Sequence, residues 1–228
     1  MNMYHKNYKI VICLFFIIFS NANAIDCLSI LDNCKTLELK QNTSDLKELM
    51  KNALITQNNI DEFLKFVQTK FPNSKIIIPP TKGIKTIETL LKTRWNGDAS
   101  RITDYARATI SFDNIYEMYN GLLFIQNSGL IIVDIKDNFW HPLKEGYRDI
   151  NITFKDLSNS HLAEIQLTTH FLLKYKNDTG HHLFDKLRTI KANVIIEKRE
   201  LSNLEKIEID KIEKESQVGY KEALLKSI

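Results

Sequence analysis

The chain has 228 residues, and its 31 basic and 28 acidic side chains give a net charge of +3 at pH 7. This near balance excludes the broad basic field of a nonspecific nucleic-acid-binding protein, so any basic patch must be local. The length suits one well-buried domain that can carry helical extensions, and the sequence shows neither an internal repeat nor a linker rich in Pro, Gly and Ser.

Residues 1–24 have the pattern of a signal peptide. Lys6 and Lys9 precede an apolar run over residues 10–19, and the stretch ends in the small residues that a signal peptidase accepts. Because a membrane span needs about 20 residues, we expect cleavage after Ala24 and export, with an uncleaved anchor as the alternative. No other long apolar run occurs, so we expect no stable membrane insertion of the cleaved chain, whose net charge would be about +1.

Cys27 and Cys34 are the two cysteines outside the predicted leader, since Cys13 lies within it. Two cysteines close together in an exported chain favour a disulfide over a metal site, and no histidine pair nearby would complete a zinc site. We therefore expect a disulfide between Cys27 and Cys34, which would stabilise the local fold by about 2–3 kcal/mol.

Apolar spacing predicts a helical N-terminal region over residues 25–80. Two helices are expected between residues 44 and 71, and Asn59 with Glu62 resembles a capping box at the start of the second. A short buried segment at residues 76–78 leads into the next helix. We interpret these elements as packing elements, since none shows evident chemistry.

The helix predicted over residues 82–95 has a basic side. At 100° per residue, its apolar residues share one side and its cations share the other. The basic side consists of Lys82, Lys85, Thr89 and Lys92. Ammonium groups around a hydroxyl suit a polyphosphate, but an ordinary solvated lysine face has the same appearance.

Residues 96–113 predict a strand that carries a carboxylate. Small apolar residues alternate with polar ones between residues 102 and 110, and Asp104 is the single acid on the apolar face. A carboxylate there is costly to bury unless it has a partner, which can be a metal ion. The alternative is that Asp104 caps a turn or pairs with Arg101 or Arg107.

Further along the chain, alternating side chains predict a β-hairpin. Its first strand starts at Tyr147, which opens a polar face, and its second strand covers residues 161–167. The turn between the strands lies at residues 155–160. On the second strand, Glu164 and Gln166 share one face.

The last part of the chain is predicted to be helical. Two helices follow the hairpin between residues 171 and 198. Residues 201–228 are densely charged, with Leu204, Ile207 and Ile212 on a narrow apolar stripe. This pattern favours a solvated helix packed on the domain over a partner-binding coiled coil.

Four stretches together resemble the synthetase domain of the RelA/SpoT family, the pyrophosphokinases that make guanosine tetra- and pentaphosphate. They are KGIKTIETLLK (82–92), TDYARATI (103–110), KDNFWHPLKEGYRD (136–149) and AEIQLTT (163–169). No single motif is specific, but all four occur in the family's order and spacing. The resemblance places a synthetase domain over residues 81–200, followed by a charged C-terminal helix over residues 201–228.

The resemblance implies an α+β, nucleotidyltransferase-like fold. Its mixed, mostly antiparallel β-sheet would be flanked by helices, with helical N- and C-terminal extensions. The implied activity is transfer of pyrophosphate from ATP to the 3′-hydroxyl of a nucleotide, with Mg²⁺ as the cofactor.

The matched motifs also imply roles for individual residues. Asp104 and Glu164 would hold Mg²⁺, and Glu164 would take the proton of the acceptor hydroxyl. The ring of Tyr147 would stack on the acceptor base, which is worth about 1–3 kcal/mol, so we expect its hydroxyl to matter little. The expected substrate-binding residues are Lys82, Lys85, Thr89, Lys92, Lys136, Lys144, Tyr147, Arg148 and Gln166.

Four positions depart from the family's pattern. Asp149 and Asn151 stand where the family usually has Ser and His, and Thr168 stands where it has Arg. The Arg that often opens the family's basic helix falls near Gly83, with Lys82 beside it. Because these positions concern the acceptor and phosphate pockets, the acceptor stays open between a guanine nucleotide, an adenine nucleotide and the 3′ end of a tRNA. No motif of the alarmone hydrolases is visible, so we expect synthesis without hydrolysis.

Two functions of different classes fit these observations. The first is an exported pyrophosphokinase that acts in another cell as a toxin or effector, because ATP is scarce in the periplasm, and such a protein would have a cognate antitoxin or immunity protein. The second is a catalytically silent nucleotide-binding protein of the same fold.

Overall fold

The computed structural model describes residues 39–228, which fold into six α-helices and five β-strands. The helices are α1 (Leu46–Lys70), α2 (Ile84–Thr93), α3 (Ile115–Gln126), α4 (His170–Tyr175), α5 (His181–Ile196) and α6 (Asn203–Leu225). The strands are β1 (Lys75–Ile77), β2 (Arg107–Phe112), β3 (Ile131–Asp137), β4 (Ile150–Lys155) and β5 (Leu162–Thr169). The predicted signal peptide and the pair of Cys27 and Cys34 lie outside the described residues.

The strands form one sheet in the order β1-β2-β5-β4-β3. β2 and β5 run parallel, whereas the other neighbouring pairs are antiparallel. β4 and β5 form the predicted hairpin. This topology confirms the predicted α+β fold with a mixed, mostly antiparallel sheet and flanking helices.

One face of the sheet is apolar and carries the core. Ala108, Ile110 and Phe112 of β2 point to it, and each is at most 1% exposed. The ring of Phe112 packs edge-on against Phe71, just after α1, with the ring centroids 5.5 Å apart. It also lies so close to Gly121 of α3 that a β-carbon there would clash. α1 and α3 therefore cover this face and leave the other face for polar side chains.

α1 is one continuous helix, so the prediction of two helices with a capping box at Asn59 was wrong. The buried stripe of α1 runs through Ile60 without a break. The Asn59 amide donates hydrogen bonds to Asp156 (2.9 Å) and to Ser158 (3.2 Å) in the turn between β4 and β5. Asn59 thus ties the middle of the helix to a distant turn instead of starting a new helix.

The sheet begins earlier in the chain than the predicted domain boundary. β1 lies within residues 25–80, which we expected to be helical, and it pairs antiparallel with β2. The register pairs Ile76 with Ile110 in the core strand. Residues 75–77 therefore belong to the sheet of the synthetase-like domain.

α6 packs on the domain, as predicted, but through a different stripe, which contacts α5. Leu204 and Ile207 are 80% and 66% exposed, whereas Ile209 and Ile212 are buried against Leu183 of α5. The predicted stripe was wrong at its first two positions because the helix is rotated towards the side that carries Ile209. No helix within residues 39–228 is both long and apolar enough to cross a membrane.

Candidate active site

The second face of the sheet is polar and forms the candidate site. The strand registers align two rows of side chains across β2, β5, β4 and β3. The first row contains Arg107, Glu164, Thr153 and Asp134, and the second contains Thr109, Gln166, Asn151 and Lys136. Because directly paired residues point to the same face, Glu164 and Gln166 lie on one polar surface, as their alternation predicted.

Asp104 lies just before β2 and not on a strand, which corrects the predicted element. β2 starts at Arg107, and the chain before it bends because Tyr105 turns inward. The Tyr105 side chain is 1% exposed, and its hydroxyl donates to the carbonyl of Ala99 at 3.0 Å. The backbone NH of Lys82 donates to the Tyr105 carbonyl at 2.9 Å, which brings the start of the basic helix beside Asp104.

The partner of the Asp104 carboxylate is Lys82. The two side chains form an ion pair at 2.7 Å, with the lysine 11% and the aspartate 29% exposed. This ion pair takes the place of the alternative pairings with Arg101 and Arg107. The Arg107 guanidinium donates instead to the backbone carbonyl of Asp104 at 3.3 Å. Asp104 is thus held in place while one side of it stays accessible.

Glu164 is fixed by two donors from neighbouring segments. The Thr103 hydroxyl donates to one carboxylate oxygen at 2.9 Å, and the Asn151 amide donates to the other at 2.8 Å. Burial raises the pKa of Glu164, and the nearby Asp104 carboxylate raises it further. The two acids therefore lie within electrostatic reach of each other.

The residues of this acidic pair fit a magnesium ion by their chemistry. Mg²⁺ prefers carboxylate oxygens together with waters and substrate phosphates, and a cation between Asp104 and Glu164 would relieve the repulsion that raises the pKa of Glu164. Within residues 39–228 no group of three or more His, Cys, Asp or Glu side chains is placed to hold a metal alone. Water or phosphate oxygens would therefore have to complete the coordination.

Tyr147 belongs to a second polar cluster, with Asp149 and Lys176. It precedes β4, whose first residue is Ile150, so it does not open the strand as predicted. Its hydroxyl donates to Asp149 at 2.9 Å and accepts from Lys176 at 3.3 Å. Because Asp149 is 1% exposed, this hydroxyl satisfies a buried carboxylate, while the stacking of the ring on an acceptor base stays a prediction.

Lys176 is a site residue that the sequence analysis missed. It begins a π-helical turn, Lys176–Gly180, which joins α4 to α5. Its ammonium also donates to the side-chain oxygen of Gln166 at 2.9 Å. Burial lowers the pKa of Lys176, while the nearby Asp149 opposes that shift. The signal in the sequence was weak, since a lysine within a helical pattern is usually solvated.

The predicted phosphate-binding helix, α2, presents its cations to solvent. Lys85 and Lys92 are exposed, as is Thr89, whose hydroxyl donates to the Lys85 carbonyl at 2.9 Å. Ile84 is 44% exposed, and Ile87 is the fully buried residue of the helix. This arrangement fits a phosphate-binding face and a solvated face equally well.

The remaining predicted cations have separate partners. Lys136 lies 3.5 Å from Asp134, a carboxylate on the polar face that the sequence analysis did not single out. Lys144 forms an ion pair at 2.7 Å with the buried Glu213 of α6. Arg148 donates to the carbonyl of Phe139 within its own loop. Lys136 therefore lies on the polar face, whereas Lys144 is paired with α6.

No family model and no curated protein matches the sequence, but solved structures match the fold. A GTP pyrophosphokinase family protein from Streptococcus pneumoniae gives a TM-score of 0.59 at 15% identity, over 79% of this chain and 88% of that chain. The small alarmone synthetase 2 from Bacillus subtilis gives 0.58 at 19% identity, over 78% and 92%. The type VI effector Tas1, solved with its immunity protein, gives 0.57 at 18% identity, over 79% and 96%.

Similarities at these identities establish a fold and not a substrate. They agree with the mixed five-stranded sheet and its flanking helices. The chain therefore has the RelA/SpoT-like synthetase fold, in common with GTP pyrophosphokinase family proteins and small alarmone synthetases.

Proposed function

We propose that this protein is a nucleotide pyrophosphokinase, which transfers pyrophosphate from ATP to the 3′-hydroxyl of a nucleotide acceptor. The observation that carries the proposal is the position of Glu164, held by Thr103 and Asn151 next to Asp104 on the polar face of this fold. A carboxylate that is fixed in place, with a raised pKa, is suited to accept a proton from a hydroxyl.

In the proposed reaction, the acceptor oxygen forms a bond to the β-phosphorus of ATP. The bond between that phosphorus and the oxygen bridging to the α-phosphate breaks, AMP leaves, and Glu164 takes the hydroxyl proton. Such a transfer depends mainly on positioning and charge stabilisation. Lys82, Lys85, Lys92 and Lys136 are the candidate cations for the triphosphate.

Asp104 and Glu164 would hold Mg²⁺, which would neutralise charge on the phosphates when it is bound. The ion pair with Lys82 fixes the position of the Asp104 carboxylate. Thr103 and Asn151 orient Glu164 so that its rotamer does not depend on the substrate.

The direct test incubates purified protein with labelled ATP, Mg²⁺ and separate acceptors, and measures AMP release with the matching pyrophosphorylated product. Glu164→Gln should stop transfer and keep the fold. Glu62→Gln, at an exposed position on α1, is the matched control and should transfer at the wild-type rate. Equal rates for Glu164→Gln and the wild type would exclude Glu164 as the base.

We also propose that the protein is exported and acts as a toxin or effector in another cell, with an immunity partner. The predicted signal peptide supports export, and the similarity of fold to Tas1, solved with its immunity protein, supports the effector role. N-terminal sequencing of protein recovered from the periplasm or medium should find a chain that starts at Ile25. A chain that stays in the cytoplasm with Met1 intact would contradict export.

The second candidate is a nucleotide-binding protein without transferase activity. The ion pairs Lys82–Asp104 and Lys144–Glu213 favour it, since they engage two of the predicted substrate-binding cations. Nucleotide binding without AMP release, under conditions in which every acceptor is tested, would support this candidate.

A further inference from the structure

The strand β3 is an open edge of the sheet. It is last in the strand order, and among the strands of residues 39–228 it pairs with β4 alone. Every residue of β3 is at least partly exposed, whereas most residues of the central strand β5 are buried. One side of the β3 backbone therefore faces no neighbouring strand in the described chain.

The composition of β3 suits the addition of a further strand. Four of its seven residues are β-branched and apolar, a type that favours strands: Ile131, Ile132, Val133 and Ile135. The opposite edge of the sheet, β1, has only three residues. A long edge strand rich in such side chains is a template for pairing with another chain.

The regular part of β3 carries two opposite charges, Asp134 and Lys136. The β-bulge lies between Ile132 and Asp134, and the pairing with β4 is regular from Asp134 onward. The two charged groups lie 3.5 Å apart, and their side chains are 22% and 65% exposed. In the sequence they flank Ile135 symmetrically, one residue on each side.

This arrangement is complementary to itself across an antiparallel pair of β3 strands. With Ile135 of one copy opposite Ile135 of the other, Asp134 of each copy lies opposite Lys136 of its counterpart. A parallel pair in the same register would place like charges opposite each other. Charge complementarity therefore points to a second copy of this chain as the occupant, in an antiparallel orientation that closes both edges.

We propose that β3 is a homodimer interface, at which two copies join their sheets by antiparallel pairing around Ile135. Asp134 lies in the same row of the polar face as Thr153 and Glu164. Lys136 of the second copy continues that row, so each copy adds a cation to the border of the other's candidate site. The interface is independent of the reaction proposed above.

Sedimentation equilibrium of the purified protein tests the charge complementarity. Asp134→Lys and, separately, Lys136→Asp turn both opposite-charge pairs into like-charge pairs, so each should raise the dimer dissociation constant at least about tenfold. The double variant that exchanges the two residues restores both pairs and should return the constant to within about threefold of the wild type.

Asp61→Lys is the matched control, because it reverses a charge in the exposed ion pair with Lys65 on α1. Its dissociation constant should equal that of the wild type. Thermal melting verifies that each variant is folded.

Hydrogen exchange locates the interface. The backbone amides of residues 133–137 should exchange more slowly as the protein concentration rises through the dissociation constant, because pairing gives the open edge hydrogen-bond partners. The amides of β1, at the other edge, should show no such dependence. In Asp134→Lys the protection of residues 133–137 should require a higher protein concentration, in proportion to the weaker dimer.

Three outcomes would overturn the proposal. They are a protein that stays monomeric up to its solubility limit, a dimer that forms without protection of residues 133–137, and equal dissociation constants for Asp134→Lys and the exchanged double variant. Neither measurement uses a nucleotide, so a failure of pyrophosphate transfer leaves the interface standing, and a monomeric protein leaves the proposed reaction standing.

Discussion

At the level of single residues, the hydrogen bond between the Tyr147 hydroxyl and the Asp149 carboxylate contributes to the stability of the fold. Asp149 is buried, and it accepts from Tyr147 and from Asn138 at 2.9 and 2.8 Å. Burial raises the pKa of Asp149 and, well above its ordinary value, that of Tyr147. The network therefore depends on hydrogen bonds, because neither group finds water readily.

Tyr147→Phe should lower the free energy of unfolding by about 1–3 kcal/mol, since it leaves the buried Asp149 with an unsatisfied oxygen. Urea unfolding of the wild type and the variant at pH 7 measures the difference. Tyr116→Phe, at a side chain that is 42% exposed, is the control and should change stability by less than about 0.5 kcal/mol. Unchanged stability of Tyr147→Phe would show that the buried Asp149 does not depend on this hydroxyl.

His161 is buried at 3% exposure, and its Nε2 atom has no hydrogen-bond partner in the described chain. Burial lowers the pKa of His161 to about 4, and the nearby Asp156 opposes the shift only in part. The imidazole is therefore neutral in the folded protein, whereas in the unfolded chain it titrates near about 6.5.

The unfolded chain thus binds more protons than the folded protein between pH 6.5 and pH 4, so His161 makes stability fall as pH falls through that window. Between pH 7 and pH 5 the loss should be about 2 kcal/mol. Urea unfolding of the wild type and of His161→Gln at both pH values isolates the contribution of His161 to the pH dependence of stability. The same pH slope in both proteins would show that His161 does not cause it.

If Asp104 and Glu164 hold Mg²⁺, the ion should stabilise the folded protein. The ion should raise the melting temperature by several degrees at saturating concentration, because it binds only the folded state. Asp104→Asn should abolish both this shift and pyrophosphate transfer. Asp61→Asn, which removes an exposed ion pair of α1, is the control and should keep both. A full shift in Asp104→Asn would place the ion elsewhere.

At the level of elements, the two sides of α6 differ in what they contribute. Its buried side includes Ile209, Ile212, Tyr220 and Ala223, and Tyr220 supports both Tyr147 and Tyr175. Ser202 and Glu205 form a capping box at its start, which fixes where the helix begins. The helix therefore belongs to the core and to the support of the site, although its sequence is dominated by charge.

Ile212→Ala should destabilise the protein by about 2–4 kcal/mol, because it leaves a cavity against Leu183 and Leu187 of α5. Ile207→Ala is the matched control on the same helix, and at 66% exposure it should cost less than about 0.5 kcal/mol. Thermal melting with denaturant titration measures both. Equal losses would mean that the helix packs through the stripe that the sequence suggested.

At the level of the whole molecule, distant segments close the fold around the sheet. The backbone NH of Ile115 donates to the Ser227 carbonyl at 3.1 Å, and the hydroxyls of Thr169 and Ser227 lie 2.6 Å apart. Gln217 of α6 donates to the Lys144 carbonyl at 2.7 Å in the basic loop. The segment after residue 200 therefore fixes the ends of β5 and α3 and one side of the loop.

A chain that ends at residue 200 should lose cooperative unfolding. The removed burial and hydrogen bonds are comparable to the whole stability of a domain, about 5–15 kcal/mol. Circular dichroism melting of the shortened and full chains provides the comparison. A sharp transition within about 5 °C of the full chain would show that α6 is a dispensable extension.

Much of the fold and part of the site could be read from short-range patterns. Alternation along β2, β4 and β5 predicted the hairpin and the shared face of Glu164 and Gln166, because side-chain direction on a strand has a period of two. The order of four motifs predicted the synthetase fold. The strand faces depend on neighbours within a few residues and the motifs on residue identity alone, so the sequence by itself determined both.

Other features depended on contacts between residues far apart in the chain, which only the tertiary structure could decide. Asn59 lies inside one helix, and its amide donates to Asp156, which is 97 positions away in the sequence. Asp104 leaves the strand because Tyr105 enters the core. Lys176 reaches Gln166 through a π-helical turn that packing against α6 holds in place. Local propensity differs by tenths of a kcal/mol between such alternatives, whereas a buried polar contact or ring contributes about 1–3 kcal/mol and so determines the outcome.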